Sequence, residues 1–103
     1  MQHELFVNPQ RAARRTYPLV VALHADIALD SRCIVAPLVR RADVEPLRSP
    51  LVTPPVRYEG GDYVVMLTMI ATLPTKVLRQ PVGSIGDWRD DITRGLDWLL
   101  WGI

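Results

Sequence analysis

Few side chains in this sequence have the types and spacing that catalysis or metal binding requires. His3, His24 and Cys33 are far apart, and neither Cys-x-x-Cys nor His-x-x-x-His occurs, so no metal-ligand set is indicated. His24 is interpreted as a residue at the end of a strand. Cys33 lies in an apolar segment, which is typical of an inert core thiol rather than a reactive one. We expect neither a metal nor a cofactor.

Two further patterns have structural interpretations. Gly60-Gly61 lies between two apolar segments and indicates a hairpin turn, not a loop that cradles a phosphate. The adjacent carboxylates of Asp90 and Asp91 suit the positive start of a helix better than an acid–base couple. No catalytic arrangement is visible, and the sequence therefore favours a protein that binds over one that catalyses.

Positive charge comes almost entirely from arginine, since Lys76 is the only lysine among 12 basic residues. The formal net charge of +1 gives no general attraction to nucleic acid or to an anionic membrane. Arg11, Arg14 and Arg15 form one basic cluster in a polar segment. Two interpretations stay open for it, a solvated loop and a contact with phosphate.

The length of 103 residues fits a single domain, residues 1–103, with one modest core. Hydrophobic residues make up 49%, an ordinary globular value that argues against wholesale disorder. No apolar stretch of about 18 residues occurs, and the first residues lack the pattern of a signal peptide. One cysteine cannot form an internal disulfide. We therefore expect a soluble protein of the cytoplasm.

Nine prolines and six glycines predict short regular elements separated by turns. Segments rich in valine and leucine predict strands between residues 3 and 82, the clearest at 3–7, 17–23, 33–39, 52–58 and 63–69. The segments at 17–23 and 33–39 are almost continuously apolar, which predicts burial on both faces of a sheet. Residues 73–82 are expected to be extended and irregular.

The C-terminal part predicts the one α-helix, at about residues 87–101, because it lacks proline and its apolar residues have helical spacing. Ser84 or Asp87 is expected to cap its start. Gly102 is expected to end it in a left-handed conformation. At 100° per residue, a broad arc is predicted to face the core; it consists of Trp88, Ile92, Leu96, Leu99 and Leu100.

Two tryptophans fall outside that arc, Trp98 at its rim and Trp101 on the opposite, polar side. Together with Ile103 they make an apolar patch where chains normally fray. Two interpretations remain open: the aromatic rings fold back over the edge of the core, or they form a binding site. Tryptophan is the residue type most often found at binding hot spots.

The ending Leu99-Leu100-Trp101-Gly102-Ile103 on a C-terminal helix resembles the CcdB toxins of plasmid and chromosomal toxin–antitoxin modules, which characteristically end in Trp-Gly-Ile. The length is also nearly that of the family. Further segments are similar in the same order along the chain: Met1-Gln2, Leu19-Val20-Val21, Ile34-Val35-Ala36-Pro37-Leu38, the stretch from Met69 to Pro74, and Asp91-Ile92.

The resemblance implies a homodimer of a small, barrel-like antiparallel sheet, of the type shared with ribonuclease toxins, with one C-terminal helix. It implies a toxin that binds the A subunit of DNA gyrase, traps the gyrase–DNA cleavage complex and catalyses nothing. No direct binding to DNA alone and no contact with a membrane are expected. A CcdA-like antitoxin would neutralise it through a disordered segment that folds on the toxin.

By resemblance, the gyrase contact is made by Trp101, Gly102 and Ile103, with Leu100 and Asp97 at neighbouring helix positions. In the family the tryptophans clasp arginine side chains, a cation–π contact worth about 0.5–2 kcal/mol. Ile27 and Ala28 match the pair of isoleucines in the loop after the second strand.

Three of these positions depart from the family, where isoleucine stands in place of Ala28, phenylalanine in place of Leu100 and asparagine in place of Asp97. The loop after Asp30 is also one residue shorter. These differences from the family bear on the affinity for gyrase and on which target is preferred. Family antitoxins contact the loop after the first strand, and the matching residues are Asn8, Arg11, Arg14 and Arg15.

Two other functions remain alternatives to gyrase poisoning. A toxin endoribonuclease of the same fold could use Arg11, Arg14 or Arg57 to stabilise a phosphate, although no general base is visible. An inactive toxin homologue could occupy the antitoxin without killing the cell.

Overall fold

The computed structural model describes residues 2–24, 31–46 and 49–102. It contains one α-helix, α1 (Arg89–Trp101), and seven strands: β1 (Glu4–Val7), β2 (Leu19–Ala22), β3 (Arg32–Arg40), β4 (Pro55–Tyr58), β5 (Gly61–Val65), β6 (Ala71–Pro74) and β7 (Gly83–Ser84). In these residues, no helix has the length and apolar character needed to cross a membrane.

All seven strands join one antiparallel sheet: six follow the order β4-β5-β3-β2-β1-β7, and β6 pairs with β3 beside this path. The nine-residue strand β3 is its centre because its two halves have different partners. The first half pairs with β6, with Ile34 opposite Thr72, and the second half pairs with β5, with Leu38 opposite Val65. This division bends the sheet around a core.

The two outermost strands of this order, β4 and β7, come close to each other. The Tyr58 hydroxyl, at the end of β4, donates a hydrogen bond to the carbonyl oxygen of Val82. The Val82 N–H in turn donates to the Leu5 carbonyl in β1 (2.8 Å). Gly83 permits this approach, because a Cβ there would overlap the Tyr58 ring. The sheet is thus a nearly closed barrel, and the prediction of a mainly β, barrel-like fold with one C-terminal helix is confirmed.

Side chains alternate between two buried clusters on opposite faces of the sheet. Leu19 and Val21 of β2 enter the larger cluster, which also holds Ile92 of α1. Val20 and Ala22 enter the smaller cluster, beneath Leu73 of β6 and Leu78 of the segment after β6. The predicted burial of 17–23 on both faces is confirmed for residues 19–22, since all four are buried.

The hairpin predicted around Gly60 is present, with a tighter turn than expected. Tyr58 pairs with Gly61, so only Glu59 and Gly60 form the turn. Both have positive φ, 48° and 77°, as a type I′ turn requires. The strands are shorter than the predicted 52–58 and 63–69: residues 49–53 form a turn, and Leu67–Met69 form a 3-10 turn.

Helix α1 begins at Arg89 after a 3-10 turn at Gly86–Trp88. The Ser84 hydroxyl accepts a hydrogen bond from the Gly86 N–H (3.1 Å) and so supports that leading turn. The helix packs on the larger cluster through Ile92, which is 1% exposed, with Trp88 and Leu96 partly buried beside it. The core contact of the helix therefore lies in its first two turns.

Candidate functional site: the exposed helix end and the basic cleft

The last turn of α1 is apolar on nearly all sides and faces solvent. Exposed fractions are 46% for Trp98, 39% for Leu99, 66% for Leu100 and 72% for Trp101. At 100° per residue, these four positions cover about 300° of the helix circumference. We call residues 98–101 the apolar helix end. The interpretation in which both aromatic rings fold back over the core is therefore wrong.

Burial of Leu99 and Leu100 was predicted from helical spacing, and that prediction is wrong. The spacing identifies the correct side of the helix, since Ile92 is buried and Leu96 is partly buried. It cannot show how far the protein body extends along the helix axis. The buried helix residues are Ile92 and Gly95, and beyond Leu96 the leucines on the same face are exposed, Leu99 at 39% and Leu100 at 66%.

Gly102 ends the helix as predicted. It has φ 73° and ψ 21°, and its N–H donates to the Trp98 carbonyl (2.9 Å). This left-handed cap fixes the last turn that carries Trp101. Ile103, Ile27 and Ala28 were also predicted to contact gyrase, and they lie outside the described residues.

The electrostatics of the helix end favour a cationic partner. The negative end of the helix dipole points outward there, and Asp97 is exposed in the same turn. The last turn of the described helix contains no basic residue. Aromatic faces beside a negative potential suit a guanidinium group, which can stack and donate hydrogen bonds together.

The loop after β1 is held in a fixed shape by Asn8, which is 7% exposed. Its side-chain amide donates to the Tyr17 carbonyl (2.9 Å), and its Oδ1 accepts from the Gln10 N–H (3.0 Å). Arg14 Nε donates to the Asn8 carbonyl (2.5 Å). Asn8 therefore shapes the loop from inside, and the loop offers a partner the exposed Arg11 and Arg15 and the partly buried Arg14.

This loop forms one wall of a basic cleft of about 550 Å³. The opposite wall is the segment after β6, which contributes Lys76 and Arg79, two residues that sequence reasoning missed. The residues that line the cleft are Val7, Pro9, Arg11, Arg14, Lys76, Val77 and Arg79, and no described acidic residue is among them. Arg15 is exposed outside the cleft, and its carbonyl accepts from Arg40 (3.2 Å).

An apolar groove of about 240 Å³ lies on the other side of the same loop. Val20 and Val35 form its floor, so it opens on the sheet face opposite the helix. Tyr17, Met69 and Leu73 line its sides, and Pro9 is shared with the basic cleft. The loop thus separates an apolar depression from a strongly basic one.

The remaining titratable groups form no reactive cluster in the described ranges. Cys33 is fully buried, and burial raises the pKa of its thiol, which disfavours the nucleophilic thiolate. Burial, with a smaller contribution from the Arg89 guanidinium, lowers the pKa of His3. Asp90 and Asp91 are exposed in the first helical turn. A search of residues 2–24, 31–46 and 49–102 finds no group of His, Cys, Asp and Glu able to hold a metal ion.

Comparison with protein-family models gives one match, to the family described as CcdB protein, over residues 2–102. The match spans the sheet, the basic cleft and the apolar helix end. Among curated proteins, no significant match is found.

Proposed function

Since the chain belongs to the CcdB family, which indicates a toxin of a toxin–antitoxin system, we propose that it poisons DNA gyrase. The protein binds the A subunit, holds the gyrase–DNA cleavage complex in place and so causes breaks to accumulate. It acts by binding alone and carries out no reaction. Its target places this action in the cytoplasm.

The observation that carries the proposal is the exposure of Trp101 and Trp98 on a helix end closed by the Gly102 cap. A free protein gains nothing by holding two indole rings in water, whereas a partner that covers them releases that hydration. Arginine side chains of gyrase A are the partner groups we propose, since the helix end offers aromatic faces and negative potential together. Leu100 and Asp97 flank this contact, and Ile103, Ile27 and Ala28 extend it.

We propose that the active form is a homodimer. The 3-10 turn Leu67–Met69 packs against α1, and Met69 and Ile70 are each 40% exposed. Apolar side chains are thus exposed both at the helix end and beside the start of β6, and a second copy of the chain could cover part of this surface. A two-fold dimer would present two helix ends to a two-fold target.

The basic cleft is the proposed contact for a CcdA-like antitoxin. An acidic segment could pair with Arg11, Arg14, Lys76 and Arg79, for which the described residues provide no ion-pair partner. Arg15 and the loop shaped by Asn8 complete this surface. Neutralisation at a site other than the helix end would allow the antitoxin to bind while gyrase is still attached.

One alternative retains support from the structure. Arg11 and Arg14 lie together in the basic cleft, as a ribonuclease of this fold would need to hold a phosphate. Arg57, the third candidate, is engaged instead with Asp62 across the β4–β5 hairpin (3.1 Å). RNA cleavage by the purified protein, lost on substitution of Arg14 and indifferent to gyrase, would favour the ribonuclease.

The test of the proposal is removal of residues 101–103 by truncation after Leu100. We expect the truncated protein to lose binding to purified gyrase A and to stop producing cleaved DNA in a gyrase assay. A matched control is Val82→Ala, which shortens an exposed apolar side chain elsewhere and should leave binding intact. Survival of toxicity and gyrase binding after the truncation would refute the proposal. Growth without a DNA-damage response on expression of the intact chain would instead indicate an inactive homologue.

A further inference from the structure

Gly95, the one glycine within helix α1, lies against the turn at Leu51 and the side chain of Leu67. A Cβ at this position would lie 2.6 Å from the Leu51 carbonyl oxygen and 2.6 Å from Leu67 Cδ1. Both distances are well inside van der Waals contact, and one of the two atoms belongs to the backbone. Only glycine fits the helix at its present distance from the sheet.

Both neighbours of Gly95 are held in place. The Ser49 carbonyl accepts hydrogen bonds from the N–H groups of Val52 and Thr53 (3.1 Å each) and from Thr53 Oγ1 (2.7 Å), which closes the turn around Leu51. The Pro54 carbonyl then accepts from the Val65 N–H (3.0 Å) and joins that turn to β5. Leu67 is fully buried in the larger cluster. Neither side can retreat easily from a larger residue at position 95.

Glycine is otherwise a poor choice for the interior of a helix, because it is second only to proline in disfavouring the helical state. Gly95 is followed three residues later by Trp98 and six residues later by Trp101. At 1.5 Å per residue, the apolar helix end therefore lies about 4.5–9 Å further along the axis. Any displacement of the helix at Gly95 is passed directly to the tryptophans.

We propose that Gly95 is a positioning residue, whose close approach to Leu51 and Leu67 sets the direction in which the apolar helix end meets gyrase. This inference rests on the proposed gyrase contact. Gly95 itself touches no partner, since it is buried under the loop. It determines where Trp98 and Trp101 are held.

The test is Gly95→Ala, with Gly86→Ala as its matched control, because a Cβ at Gly86 meets only the Ser84 hydroxyl at an ordinary 3.4 Å. For Gly95→Ala we expect a lower melting temperature, although alanine is the better helix former. At a temperature where all variants are folded, we expect at least tenfold weaker binding to gyrase A. In ¹⁵N spectra, the indole N–H signals of Trp98 and Trp101 should move while that of Trp88 stays. Gly86→Ala should match the unmodified protein in all three measurements.

Two comparisons separate this inference from the gyrase proposal. If Trp101→Ala loses gyrase binding and Gly95→Ala retains it, Gly95 has no positioning role and the gyrase proposal stands. If both variants bind as the unmodified protein does, the gyrase proposal fails, and with it the role assigned to Gly95. Unchanged Trp98 and Trp101 signals in Gly95→Ala overturn the positioning role whatever gyrase does.

A second variant covers the case in which Gly95→Ala does not fold. Thr53→Val removes the side-chain hydrogen bond that braces the Leu51 turn, at a half-buried site outside the core clusters, and we expect this variant to fold. We expect a smaller movement of the same two indole signals and a smaller loss of gyrase affinity. Signals identical to those of the unmodified protein would overturn the inference.

Discussion

Replacing Trp101 with alanine should separate binding from stability. The indole is 72% exposed, so its removal takes little from the folded core. Changes at such surface positions usually alter the free energy of unfolding by less than about 0.5 kcal/mol. We therefore expect Trp101→Ala to melt within a few degrees of the unmodified protein.

The expected effect on binding follows from the surface that a partner could cover. An aromatic side chain buries about 150–250 Å² when fully enclosed, and 72% of this remains available in the free protein. At about 25 cal/mol per Å², covering that surface contributes at most about 3–4.5 kcal/mol. Ordering and imperfect desolvation reduce the net gain, and truncated hot-spot residues typically cost about 2–4 kcal/mol. We expect Trp101→Ala to bind gyrase A roughly 30- to 1000-fold more weakly.

Titration calorimetry with purified gyrase A measures this loss, and thermal melting measures stability on the same samples. Ile92→Ala is the converse control, because its side chain is 1% exposed and its loss should destabilise the fold by about 2–5 kcal/mol. Val82→Ala controls for the loss of an exposed apolar group. An affinity of Trp101→Ala within threefold of the unmodified protein would refute the argument from exposure to binding.

Three further predictions concern the barrel, the cleft and pH. Tyr58→Phe removes the hydroxyl that joins β4 to Val82 and should lower the free energy of unfolding, measured by urea titration, by about 0.5–1.5 kcal/mol. An unchanged free energy of unfolding would show that packing of the Tyr58 ring against Gly83 closes the barrel without the hydrogen bond. Charge reversal by Lys76→Glu and Arg79→Glu should weaken binding of an acidic antitoxin peptide while gyrase binding is unchanged; equal binding of the peptide would remove the cleft from the antitoxin interface. Because the pKa of His3 is lowered in the folded state, the unfolded chain takes up the proton first, and the free energy of unfolding should fall as the pH drops below the unfolded pKa near 6.5. His3→Gln should flatten the dependence of stability on pH in this range. An unaltered dependence would exclude His3 as its source.

The helix could be predicted in part from the sequence because helical periodicity is a local property. The spacing of Ile92 and Leu96 identified the buried side, and Gly102 identified the end. The exposure of Leu99 and Leu100 depends on where the sheet stops along the helix axis, which is set by contacts distant in sequence. Gly95 shows the same limit, since a glycine inside a helix gives no local sign of the loop carbonyl beside it.

The sheet and the cleft show the same division between local and distant information. The glycine pair predicted a hairpin, but the turn uses Glu59 with Gly60, because the register is fixed by pairing across the strands. Arg11 and Arg14 were evident as a basic cluster. Their partners Lys76 and Arg79 are more than 60 residues away in sequence, and only the packing of the segment after β6 beside the β1 loop brings the four cations together.

The position of the apolar residues along α1 is itself an argument about function. If the helix served only to cover the core, its apolar residues would end with the contact at Leu96, and polar residues would follow. Instead the chain continues with four large apolar residues and then fixes them with a left-handed glycine cap. Order without burial brings no gain to the folded monomer, which supports the proposal that these residues are covered in a complex.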